Sequence, residues 1–125
     1  MATVVVGYVP KPEGEAALEA AIDEARRRGA SLVVVNARRD AAAPEADLSA
    51  VRGRLTESGL SFDLRDVVQG LDASEDLIAV AEDTDAELIV IGLRRRTPVG
   101  KLILGSNAQR VLLDAPCPVL AVKAG

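Results

Sequence analysis

The chain contains no histidine, no tryptophan, one cysteine and only two aromatic residues among its 125, Tyr8 and Phe62. Without histidine it lacks the commonest general base and metal ligand, so neither a Ser-His-Asp nor a Cys-His mechanism can be built within one chain. Cys117, alone between Pro116 and Pro118, excludes an internal disulfide and suggests no thiolate metal site; it reads as a small apolar residue leading into the last strand. No apolar run approaches the ~20 residues that a spanning helix needs. Met1-Ala2-Thr3 leads straight into a strand, with no basic start or apolar signal core. A soluble, cytoplasmic protein with no membrane partner is therefore expected. A strongly basic balance is missing as well. The net charge is −4, which argues against nucleic acid as a partner for the chain as a whole.

With about half the residues apolar and aromatics scarce, the core must be built from Val, Leu, Ile and Ala. That composition suits buried parallel strands covered by Ala-rich helices. The length is that of one domain, expected over residues 1–125.

Apolar runs alternate with helical patterns along the whole chain. Val4-Val5-Val6 reads as the first strand, closed by Gly7-Tyr8-Val9-Pro10. Residues 13–28 place Ala17, Leu18, Ala21, Ile22 and Ala25 on one helical face. Glu13, Glu15 and Glu19 read simply as the acidic beginning of that helix, Arg26-Arg27-Arg28 as its solvated basic end, and Gly29 as its stop. Strands follow at Leu32–Val35, Ser61–Val68, Leu88–Ile91 and Val119–Val122; helices are expected over Leu48–Ser58, Ala73–Asp83 and Ser106–Leu113. Phe62, Leu64 and Val67 are the inward candidates of the third strand, whose polar alternation suggests a sheet edge. Asp72 or Ser74 would cap the third helix, and residues 36–47, polar and Ala-rich, read as a mobile loop. Five strands and four helices in alternation predict an α/β fold with a doubly wound parallel sheet. In the flavodoxin-like order 3-2-1-4-5, the first and fourth strands adjoin where the winding reverses, and ligands bind beyond their carboxyl ends. Tyr8, Val9 and Pro10 would then face Gly92 and Gly105 across one crevice.

The stretch IVIGLRRRTPVGKLILGSN, residues 89–107, carries the clearest chemical signal. A buried strand ends at Ile91 and Gly92, a basic loop follows with Arg94, Arg95 and Arg96, and Gly105-Ser106-Asn107 opens a helix. Free backbone N–H groups at a helix start and its partial positive charge favour a phosphate. Gly105 would let a ligand approach the backbone, and Ser106 would cap the helix or donate its hydroxyl. The plainer reading, ordinary N-cap chemistry beside a solvated basic turn, stays open at this point.

With these residues in order, the chain resembles the universal stress protein family over essentially its full length. The resemblance rests on the opening VVVGY and EGEAALEAA, the strand AELIVIG, the helix start LILGSNAQRVL and the ending APCPVLAVK. It implies the 3-2-1-4-5 sheet of adenine-nucleotide-binding α/β domains and a stress-responsive module that binds ATP, with Mg2+, or AMP. Nucleotide-binding members resemble G-x2-G-x9-G-[ST] in the last loop. Here Gly92 and Gly105-Ser106 keep that spacing, and Arg95 stands where the second glycine belongs. By resemblance Gly92 and Arg94 would lie along phosphate and ribose, and Gly105, Ser106 and Asn107 would cradle the phosphates. Arg95 adds a Cβ but also a cation suited to phosphate. Those members also carry an aspartate at the end of the first strand, where this chain has Val9. The segment near Asn36 and Ala37 would meet the base through its backbone. The resemblance further implies a homodimer through the last strand, Val119, Leu120, Ala121 and Val122, which is apolar on both faces and needs a cover if it is an edge.

No catalytic or metal-ligating residues are assigned. Phosphoryl transfer needs a positioned metal and nucleophile, and the segment from Gly92 to Asn107 contains no acid. At most weak ATP hydrolysis is expected. The alternative function is a nucleotide-free dimeric module acting through a protein partner. A flavin protein on the same architecture has only Tyr8 to stack on the ring.

Overall fold

A computed structural model describes residues 2–38, 48–68, 73–93 and 106–123. Among them five strands and four helices alternate: β1 (Thr3–Gly7), α1 (Pro12–Arg28), β2 (Ser31–Arg38), α2 (Ser49–Ser58), β3 (Phe62–Val68), α3 (Ala73–Asp83), β4 (Leu88–Leu93), α4 (Ser106–Asp114) and β5 (Val119–Lys123). All strand pairs are parallel, and the order is β3-β2-β1-β4-β5. This is the doubly wound α/β arrangement expected from the alternation.

The period of two along each central strand divides the core between the faces of the sheet. Val4, Val6, Leu32, Val34, Leu88 and Val90 face α1 and α2, and pack with Ala17, Leu18, Ala21, Ala25, Val51 and Leu55. Val5, Val33, Val35, Ile89 and Ile91 face the other way, against Leu77, Val80 and Ala81 of α3 and Val111 of α4. Helix α1 begins with Pro12, whose missing N–H would be unsatisfied in any case. It ends at Gly29, whose φ of 62° is the left-handed conformation that caps the last carbonyls. Phe62 and Leu64 of β3 pack against the α1–α2 cluster, and β3 lies at the sheet edge, as its alternation predicted. The side chain of Val67 lies outside the described set.

Two strands run further than their apolar runs. β2 continues through Asn36 to Arg38, so the first part of the expected loop is strand instead; residues 39–47 lie outside the description. The reason is the partner strand: Asn36, Ala37 and Arg38 are in register with Asp66, Val67 and Val68, and a backbone ladder is satisfied whatever the side chains carry. β4 likewise passes through Gly92 and Leu93, paired with Val122 and Lys123. Gly92 therefore lies inside the strand and does not end it.

Candidate functional site

The winding reverses between β1 and β4, whose residues Val4, Val5 and Val6 are in register with Leu88, Ile89 and Val90. Beyond their carboxyl ends lies a cleft of about 180 Å³. Its walls come from six elements, with Val35 contributed by β2. Gly7, Tyr8 and Val9 continue β1, Ile91 and Gly92 belong to β4, Glu13 and Gly14 open α1, Ser74 and Leu77 come from α3, and Asn107, Ala108 and Val111 from α4. A crevice at the switch point of an open α/β sheet is where this architecture binds ligands.

Two glycines bring α1 against the ends of both strands. A Cβ on Gly14 would collide with the carbonyl of Val9, and a Cβ on Gly92 would collide with the carbonyl of Glu13. Only a residue without a side chain permits either approach. Residues 13 and 14 are thus seated across the switch point, one contact toward β1 and the other toward β4. The turn that leads into α1 is closed by the Lys11 N–H donating to the Val9 carbonyl at 2.8 Å.

Tyr8 is 5 % exposed and lines the cleft. Its hydroxyl donates to Glu15 Oε1 at 2.8 Å, while Arg54 of α2 holds Glu15 Oε2 at 2.5 Å. Burial, then the hydrogen bond to the Glu15 carboxylate and its negative charge, push the Tyr8 phenol up to about 12; Arg54 works in the opposite sense. Glu15 is therefore not merely part of an acidic helix start, as its position in the sequence suggested. It joins the end of β1 to α1 and α2. The partner it needs is 39 residues away, so helical spacing within α1 carries no sign of it.

The structure brings together Tyr8, Val9, Ile91, Gly92 and Asn107 of the residues picked out by sequence. Pro10 is exposed at the turn and does not line the cleft. Arg94, Arg95, Arg96 and Gly105 lie outside the described residues, as do the side chains of Ala37 and Ser106. Sequence reading missed Glu13, Gly14, Ser74 and Leu77. Ser74, offered there as a cap, sits within the first turn of α3, is 1 % exposed and faces the cleft; the alternative cap, Asp72, lies outside the described residues. Among the described residues no group of three or more His, Cys, Asp or Glu side chains is placed to hold a metal ion. No described helix is long and apolar enough to cross a membrane.

β5 forms the second edge of the sheet. Leu120 and Val122 lean on the α1–α2 cluster and Val119 and Ala121 on the α3–α4 cluster, all four half-buried. On α4, Leu113 is 83 % exposed.

The model of the universal stress protein family matches residues 1–123 of the chain. The chain belongs to that family. It is 48 % identical to the universal stress protein of Mycolicibacterium smegmatis over 96 % of each chain. Among solved structures, a universal stress protein from Archaeoglobus fulgidus superposes with a TM-score of 0.83 at 32 % identity, covering 98 % of this chain and 99 % of its own. A second, also from Archaeoglobus fulgidus and in complex with dAMP, gives a TM-score of 0.72 at 26 % identity over 98 % of each chain. The family so established is the one that the motifs resembled, and its fold is the one seen here.

Proposed function

We propose that this universal stress protein is a stress-responsive adenine-nucleotide-binding module that binds AMP or ATP in the switch-point cleft. One observation carries the reading: the cleft lies between the carboxyl ends of β1 and β4 and the start of α4, with Asn107 on its wall. The helix start offers free N–H groups to a phosphate, and the apolar surface of Val35, Leu77 and Ile91 offers a base its desolvated face. The dAMP complex of a relative supports the same ligand class. Gly92, Arg94, Arg95, Gly105, Ser106 and Asn107 are the residues proposed for the sugar-phosphate end. Tyr8, Val9 and the Ala37 backbone are proposed for the adenosine end. Magnesium would arrive on the phosphates of ATP. Catalysis is proposed to be weak at most, with hydrolysis of ATP no faster than in a Gly105→Arg control.

Isothermal titration calorimetry of AMP and ATP, with and without magnesium, tests the reading against Gly105→Arg. The expected result is micromolar binding that the substitution abolishes. A folded wild-type protein that produces no heat with either nucleotide would overturn it.

A second reading concerns the β5 edge. Its half-buried apolar residues at an unpaired sheet edge favour a homodimer that covers Val119, Leu120, Ala121 and Val122. Wild type should elute from size exclusion as a dimer and Leu120→Asp as a monomer; a monomeric wild type removes the proposal. This surface would also serve a module that works through a protein partner.

A further inference from the structure

The cleft carries one carboxylate among its described lining residues, Glu13. The other polar groups of that set are the Tyr8 hydroxyl, which donates to Glu15, and the side chains of Ser74 and Asn107. At the end of β1, where the resemblance leads one to expect an aspartate, Val9 is apolar and 38 % exposed. An anionic residue is thus missing at the end of β1, while Glu13, which lines the cleft, follows four residues later in the chain.

The two glycine contacts make that placement firm. Gly14 rests on the Val9 backbone, and the Glu13 carbonyl rests on Gly92. The backbone of Glu13 is held between the ends of β1 and β4, so its side chain is delivered from a fixed point and not from a free loop. A carboxylate there disfavours a phosphate beside it and favours a group that donates hydrogen bonds. A vicinal diol is that group: its two hydroxyls match the two carboxylate oxygens, the chemistry by which acidic side chains take the ribose of dinucleotides.

We propose that Glu13 is a specificity-determining residue of the cleft: its carboxylate accepts hydrogen bonds from the 2′- and 3′-hydroxyls of a ribonucleotide, and so selects ribose over deoxyribose. The inference rests on the adenine-nucleotide reading above.

The test compares AMP with 2′,3′-dideoxy-AMP by calorimetry on wild type, Glu13→Ala and Glu13→Gln. Wild type should prefer AMP by about tenfold or more, the scale of hydrogen bonds to a charged group. Glu13→Ala should bring the two ligands within about threefold of each other, since the hydrogen bonds that separate them are lost while any change in repulsion of the phosphate is common to both. Glu13→Gln, which keeps the shape and one acceptor, should fall between. Equal affinities in wild type, or a preference that survives in Glu13→Ala, would overturn the role of Glu13 while leaving the nucleotide site standing. Failure of AMP to bind any of the three proteins would remove the nucleotide reading and this inference with it.

Discussion

The two faces of the sheet are packed from the same kinds of residue but to different ends. On the α1–α2 face, Leu18, Leu32 and Leu55 are fully buried and the apolar cluster is continuous from β1 to β3. On the α3–α4 face the cluster is interrupted at the carboxyl ends of the strands, where Leu77, Ile91 and Val111 belong at once to the core and to the wall of the cleft. Of the described residues of the first cluster, Tyr8 alone reaches the cleft, at the end of β1. The other face leaves a concavity because α3 and α4 start on either side of it. The sheet thus leaves its cleft by closing one face almost completely and the other only in part.

The largest effect should come from the closed face. Leu18→Ala leaves a void that its neighbours cannot collapse into, and a loss of about 2–5 kcal/mol in urea unfolding is expected. The nucleotide affinity of the folded fraction should not change. Leu77→Ala should cost stability only at the lower end of that range, about 2 kcal/mol, because the lost atoms already border the cleft, and it should weaken AMP binding. Equal stability losses and unchanged affinities in both variants would erase the distinction between the faces.

Gly92→Ala attacks the junction between them. Its Cβ meets the Glu13 carbonyl, and the shift required should cost about 1–3 kcal/mol. Because Glu13 moves with it, AMP affinity should fall as well. A variant with full stability and affinity would show that α1 is not held on β4 in this way.

The smallest effect at neutral pH is also the cleanest to read. Tyr8 is the chain's sole tyrosine and there is no tryptophan, so phenolate absorbance reports on it alone. It should titrate near 12 in the folded protein, against about 10 unfolded. A raised folded value means that the stabilisation is fully present below pH 10 and is lost as pH rises toward 12, by about 3 kcal/mol in all. In Glu15→Gln the titration should move down but stay above 10, since burial is the first cause and persists. A wild-type value of 10 would place the phenol in water, and the wall of the cleft with it.

Much of this architecture was legible because buried parallel strands must be apolar throughout and amphipathic helices must repeat every 3.6 residues. The α3 boundaries at Ala73 and Asp83 follow from that pattern alone. The ends of β2 and β4 did not, because Asn36 and Gly92 are held in strands by the hydrogen bonds of neighbours far away in sequence. At the site, Tyr8, Val9 and Gly92 could be placed from the order of strands. Ser74 and Leu77 could not, since α3 contributes to the cleft only through its lateral packing.

The sequence by itself determined the α/β alternation, the parallel sheet, the family and the exclusion of histidine- or disulfide-based chemistry, because these depend on composition, period and local motif. Only the tertiary structure decided what Glu13, Glu15 and Gly14 do. All three lie in an ordinary first turn of helix. Their meaning comes from what that turn rests on: the Val9 carbonyl, the Gly92 Cα, the Tyr8 hydroxyl and the Arg54 guanidinium. Close contacts between distant segments depend on shape in three dimensions, which no spacing along the chain encodes.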